Sequence, residues 1–139
     1  MELNSNNHSV YELQYHVVVV TKYRRKVINE KIKEELIAIS KNIFENNYNC
    51  KIIEINTDKD HIHVLFSASP QIQLSKLINS FKTVSSRLIR KNNAEFLKNF
   101  YWKPYFWSSS YYIGSVGNVN EETVKKYIQS QNKKATNPS

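Results

Sequence analysis

An α+β fold is predicted for this 139-residue chain by three observations. Runs rich in β-branched residues mark strands at Tyr11–Val20, Lys51–Asn56, His61–Ala68 and near Ser109–Val116. Between them, Asn29–Asn47 and Ile72–Lys91 space their apolar residues at a helical period. Only two glycines and three prolines punctuate the chain, with no repeat or low-complexity linker. The order β-α-β-β-α-β is the ferredoxin-like split β-α-β: an antiparallel sheet with two helices on one face, here extended by a C-terminal helix. One domain is expected over residues 1–139, structured over 10–131, with polar ends at Met1–Ser9 and Lys133–Ser139.

Each element follows from local chemistry. The first strand ends at the basic turn Thr21-Lys22-Tyr23-Arg24-Arg25-Lys26. Ile32, Leu36, Ile39 and Ile43 form the apolar stripe of the first helix. Thr57-Asp58-Lys59-Asp60 reads as a turn before the strongest strand candidate. Pro70 ends that strand, and Leu74, Leu77, Ile78, Phe81, Val84 and Leu88 stripe the second helix. A looser aromatic stretch precedes the last strand, which Gly114 and Gly117 close. Asn118 is expected to cap the final helix, with Glu121 completing a capping box.

Composition narrows the class. Twenty Lys and Arg against twelve Asp and Glu give +8 and pI ≈ 9.5, which favours a polyanionic partner. An AT-rich genome, inflating Lys, Asn and Ile together, is the bland explanation. No apolar run approaches the ~20 residues of a membrane span, and Met1–Ser9 lacks a signal-peptide layout. The lone cysteine, Cys50, excludes an internal disulfide and a Cys-based zinc site, so a reducing cytoplasm is expected.

The chemistry centres on His61-Ile62-His63. Alternation points both imidazoles to one strand face, about 7 Å apart, a spacing able to grip one divalent metal. In the last helix Tyr127 and Gln131 lie one turn apart on one face, shared with Val124 and Ile128. The bland reading makes Tyr127 a packing residue and Gln131 a fraying end. The functional reading makes Tyr127 a phenolic nucleophile and Gln131 a third metal ligand. That nitrogen/oxygen set suits Mg²⁺ or Mn²⁺ rather than a closed zinc site. A tyrosine of ordinary pKa ~10 attacks a phosphodiester poorly unless a metal neutralises the phosphate. Asp60 is a candidate orienter of an imidazole. His16 reads as a satisfied sheet histidine without a metal partner.

A nucleic-acid surface is also expected. Lys76, Thr83, Arg87 and Arg90 fall within roughly a 60° arc of the second helix, opposite its apolar stripe. Tyr23, Arg24 and Arg25 form a second candidate cluster for the DNA backbone. The run Tyr101-Trp102-Lys103-Pro104-Tyr105-Phe106-Trp107 is expected in the core rather than stacking bases.

Four stretches carry a resemblance. Tyr15–Arg25, with its His16 and Lys22-Tyr23-Arg24-Arg25, resembles the opening motif of the single-tyrosine HUH transposases of IS-two-hundred-type insertion sequences. Thr57–His63 resembles their metal motif, Phe106–Gly117 their late strand, and Val124–Gln131 their nucleophile helix. The resemblance implies a metal-dependent DNA transposase acting as a homodimer. It would cut and rejoin single-stranded DNA at hairpin-bearing element ends through a 5′-phosphotyrosine. Tyr127 of one subunit would then work with His61 and His63 of the other. Two further readings stand beside it: a host-tamed relative processing dispersed palindromic repeats, and a non-catalytic single-stranded nucleic-acid-binding module. A two-histidine phosphoesterase needs a second His-x-Thr/Ser motif, and none occurs.

Overall fold

A computed structural model describes residues 13–117 and 120–131, together with the backbone of 5–6 and 9–10. Four strands form the main sheet: β1 (Leu13–Val20), β2 (Lys51–Asp58), β3 (His61–Ala68) and β4 (Tyr112–Ser115). Their spatial order is β2-β3-β1-β4, with every neighbouring pair antiparallel. The helices are α1 (Glu30–Ser40), α2 (Leu74–Asn92), the short α3 (Ala94–Leu97) and α4 (Glu121–Ser130). This is the expected mixed architecture, with a C-terminal helix added.

Side-chain parity divides the sheet. Val17 pairs with Val64 and Val19 with Ile62, and these residues join Phe66 in the buried core. Ile32 and Leu36 of α1 and Leu77, Ile78 and Phe81 of α2 enter the same cluster, so both helices cover one face. Phe44 ties the layers, 5.0 Å from Phe66 and 5.8 Å from Phe81 between ring centres. Each such side chain contributes about 1.5–3 kcal/mol of burial. The opposite face carries His16, Val18, Val20, His61 and His63 by alternation.

Several boundaries differ from expectation for physical reasons. The helix expected over Asn29–Asn47 is capped by the Asn29 side chain, which accepts from Ile32 N at 2.9 Å. It is α-helical only to Ser40 and continues as a π-helix over Lys41–Asn47, which buries Ile43 and Phe44. β2 runs through Thr57 and Asp58, so the tight turn is Lys59-Asp60 alone. α2 begins at Leu74 rather than Ile72, and its buried stripe is Leu77, Ile78, Phe81, Ser85 and Ile89. Ser85 and Ile89 replace Val84 and Leu88 at the centre of that stripe, and both of those are half-buried. The last strand shrinks to Tyr112–Ser115, and Ser108 and Ser110 before it bond instead to side chains of the C-terminal segment. Asn118 lies outside the described residues. Asn120 is the residue that caps α4, its side chain accepting from Thr123 N at 2.8 Å.

Candidate active site

The antiparallel register brings the histidines together. His63 lies opposite Val18 and His61 opposite Val20, so His16 is diagonal to His63 on the same face. His16 Nδ1 and His63 Nε2 are hydrogen-bonded at 2.5 Å, with ring centres 4.7 Å apart. The reading of His16 as a satisfied sheet histidine holds, but its partner is one of the two metal-motif histidines. Burial, reinforced by His16 and His61, holds the His63 pKa below the ordinary imidazole value, which favours the neutral ring.

His61 has its own buttress. Its Nδ1 is 2.8 Å from Asp60 Oδ1, which makes Nδ1 the protonated nitrogen and leaves Nε2 with a lone pair. Asp60 is fixed in turn: Arg24 Nε donates to its Oδ2 at 3.4 Å, and Thr21 N donates to its carbonyl at 2.9 Å. Arg24 and the preceding Tyr23 both adopt left-handed backbone, with φ of 54° and 58°. Such a pair costs roughly 1–2 kcal/mol per residue. Here it turns the chain back so that the guanidinium reaches Asp60, while Tyr23 stacks on Trp102 at 5.4 Å. Arg24 and Tyr23, expected at a DNA backbone, are thus engaged within the fold. Arg25 extends from the same turn and is half-buried.

Tyr127 and Gln131 occupy the half-buried face of α4 with Val124 and Ile128, as the spacing predicts. The phenol Oη is 2.9 Å from Ser110 Oγ, and the ring lies 5.7 Å from that of Tyr112. Gln131 Oε1 accepts from Ser108 Oγ at 3.1 Å and Ser110 Oγ at 3.4 Å. Burial raises the Tyr127 pKa above its ordinary value, against the opposing pull of Ser110 and Ser108.

The serine loop is itself anchored. Lys82 Nζ donates to the carbonyls of Ser108 and Ser110, at 2.8 and 3.3 Å, and its burial lowers its pKa. Trp107 Nε1 donates to Ser85 Oγ at 2.8 Å, and Ser108 N donates to Val20 O at 2.8 Å.

Two rows across the sheet now relate these parts. His63, Val18 and Tyr112 lie side by side, with Tyr127 packed on Tyr112. His61 and Val20 lie side by side, with Ser108 bonded to Val20 and Gln131 bonded to Ser108. Each row spans two strand spacings, roughly 10 Å. Among the described residues, no hydrogen bond, ion pair or ring contact joins Tyr127 or Gln131 to His61 or His63. Gln131 is instead bonded to Ser108 and Ser110, on the far side of these rows from the two histidines. What does gather around His61 is Asp58 and Asp60, whose oxygens lie within 4.8 Å of its ring nitrogen and of each other.

The helical arc is as expected for Lys76, Thr83 and Arg87, all exposed; Arg90 is half-buried and donates to Ser86 Oγ at 3.1 Å. Thr83, Ser86 and Arg90 line a cleft of about 360 Å³ whose other wall includes Tyr105 and Ser108. The cleft thus leads from the polar face of α2 to the loop that seats Gln131. The aromatic run is core at Tyr101, Phe106 and Trp107, whereas Trp102 is exposed.

Comparison with known proteins places this geometry. The description "Transposase IS200 like" matches residues 9–131. The chain belongs to the IS200-like transposase family. It is 30% identical over 134 residues to the ISDra2 transposase TnpA of Deinococcus radiodurans, covering 96% of this chain and 94% of that protein. It is 29% identical over 124 residues to the transposase for insertion sequence element IS200 of Salmonella typhimurium, covering 89% and 80%. Its fold matches a solved Deinococcus radiodurans transposase at a TM-score of 0.80 and 23% identity, over 93% of this chain and 98% of that one. A REP-associated tyrosine transposase bound to a REP hairpin matches at 0.56 and 11%, over 93% and 70%. Among the described residues of this transposase, no helix is long and apolar enough to cross a membrane.

Sequence reasoning missed the roles of Ser108, Ser110 and Lys82. Both serines fall inside a motif already singled out, Ser110 within the span expected as strand and Ser108 just before it. Lys82 bonds to backbone 26 residues away, which no local pattern reports.

Proposed function

We propose that this transposase nicks and rejoins single-stranded DNA at hairpin-bearing element ends through a 5′-phosphotyrosine on Tyr127. His61, His63 and Gln131 are the residues that would hold a divalent ion, Mg²⁺ or Mn²⁺. The observation carrying this reading is that Tyr127 packs on Tyr112, on the sheet face that carries the histidines and two strand spacings from them, with Gln131 one helical turn away. The donor set fits such an ion: Asp60 leaves His61 Nε2 bare, and the Gln131 amide contributes a neutral oxygen. When bound, the ion supplies charge neutralisation and orientation at the scissile phosphate.

The chain's own groups do the rest. Tyr127 keeps its proton at neutral pH, as its ordinary pKa of ~10 already dictates and burial reinforces, and the hydroxyl of Ser110 holds the phenol oxygen in place until DNA arrives. The phenol gives its proton to solvent as its oxygen bonds to phosphorus; the bond from phosphorus to the 3′-oxygen breaks, and that oxygen leaves with the electron pair and takes a proton from solvent. The phosphotyrosine ester conserves the bond for rejoining by a 3′-hydroxyl. Lys76, Thr83, Arg87 and Arg90 contact phosphates along α2, and the cleft that Thr83 and Arg90 border leads that strand toward Ser108.

Gln131 lies one turn from Tyr127, so α4 carries nucleophile and ligand together. Moving α4 across roughly two strand spacings, onto its own histidines or those of a second subunit in a cytoplasmic homodimer, assembles the site. The relatives named for insertion sequences, ISDra2 TnpA at 30% identity and the IS200 transposase at 29%, favour a mobile-element enzyme over the repeat-processing relative.

The test is incubation with a labelled, hairpin-bearing single-stranded end and Mn²⁺. A protein–DNA adduct that survives denaturation, and is absent from Tyr127→Phe, is expected. DNA binding without any adduct, unchanged in His61→Ala and His63→Ala, would instead establish a binding module.

A further inference from the structure

The hydrogen bond between His16 and His63 constrains chemistry that the histidine motif alone leaves open. One proton lies between His16 Nδ1 and His63 Nε2, so one ring donates and the other accepts. If His16 donates, a neutral His63 accepts at Nε2 and carries its own proton on Nδ1, leaving no lone pair for a metal. If His63 donates from Nε2, its Nδ1 is bare and His16 carries its remaining proton on Nε2. Only the second arrangement makes His63 a ligand without breaking the contact.

We propose that His16 is a positioning residue for the metal centre: it accepts the Nε2 proton of His63 and so commits His63 Nδ1 to the ion. Asp60 does the same for His61 with the opposite nitrogen, accepting from Nδ1 and leaving Nε2. Metal-bound imidazoles generally donate their second N–H to such an acceptor, and loss of the acceptor costs 10- to 100-fold in affinity. The two buttresses differ in origin. Asp60 is adjacent to its histidine in sequence, whereas His16 arrives from β1 and depends on the β1–β3 register. A one-residue slip there would turn His16 to the core face and leave His63 unsupported. Val18, opposite His63 and fully buried, helps to hold that register.

This inference rests on His63 being a metal ligand, and the experiment separates the two. Two-bond ¹H–¹⁵N spectra of the full-length protein report which nitrogen of each imidazole is protonated, without metal or variant. His63 is expected to carry its proton on Nε2; a proton on Nδ1 overturns the proposal. Titration with Mn²⁺ alone is expected to show ~10- to 100-fold weaker binding for His16→Ala. His16→Gln, whose amide oxygen accepts the same N–H, should recover most of that loss. Wild-type affinity in His16→Ala, or no recovery in His16→Gln, overturns it. Wild-type affinity in His63→Ala would instead remove the ligand assignment beneath it.

Discussion

The β1–β3 pair and helix α4 hold the two halves of the proposed site, and they are held in opposite ways. β1 and β3 pair over eight residues, with Val17, Val19, Ile62, Val64 and Phe66 at most 2% exposed. α4 has ten residues and none fully buried. An isolated helix under ~12–15 residues is marginal in water, so α4 persists through its contacts with the serine loop and Tyr112. The histidines therefore sit on a scaffold that opens only with the whole fold, while the proposed nucleophile, Tyr127, rides on an element that can leave locally. The difference suits the proposed mechanism, in which a tyrosine is brought to DNA and later withdrawn with DNA attached.

Four substitutions break or sharpen this contrast. Tyr127→Phe removes the attacking oxygen and keeps the ring on Tyr112. Denaturing gels should show at least ~10³-fold less covalent adduct, with an unchanged melting curve. Asp60→Asn weakens the acceptor for His61 and the ion pair with Arg24. Calorimetry should show Mn²⁺ binding weaker by ~10- to 100-fold, with α4 undisturbed. Asn120→Ala removes the α4 cap at a cost of ~1 kcal/mol, which should raise amide exchange in α4 alone. Ser110→Ala deletes one hydrogen bond to Tyr127 and one to Gln131. Its cost, ~0.5–1.5 kcal/mol, should also appear as faster exchange in α4, and not in β1 or β3.

The same contrast governs what the sequence discloses. The span of β3 is legible because His61 to Ala68 is a β-rich run between a turn and Pro70. The working face of α4 is legible because Val124, Tyr127, Ile128 and Gln131 recur at helical spacing. Both are local patterns. The His16–His63 contact is not local: it needs the β1–β3 register, 47 residues apart in sequence. The Lys82 anchor is likewise invisible, since its partners are backbone carbonyls with no sequence signature. The π-helix over Lys41–Asn47 keeps an apolar rhythm close enough to the α period to hide the wider turn. At the α4 start, two asparagines two residues apart both fit a cap, and the Asn118–Glu121 spacing favours the one that the Asn120–Thr123 bond overrules.

The central claim is that the third ligand travels with the nucleophile, so that metal and α4 are coupled. Hydrogen exchange across 121–131, with and without Mn²⁺, in wild type and Gln131→Ala measures this directly. The account predicts that Mn²⁺ slows exchange in α4 of the wild type and has no such effect in Gln131→Ala. Equal exchange with and without Mn²⁺ in the wild type, at metal concentrations that saturate the histidines, would contradict it.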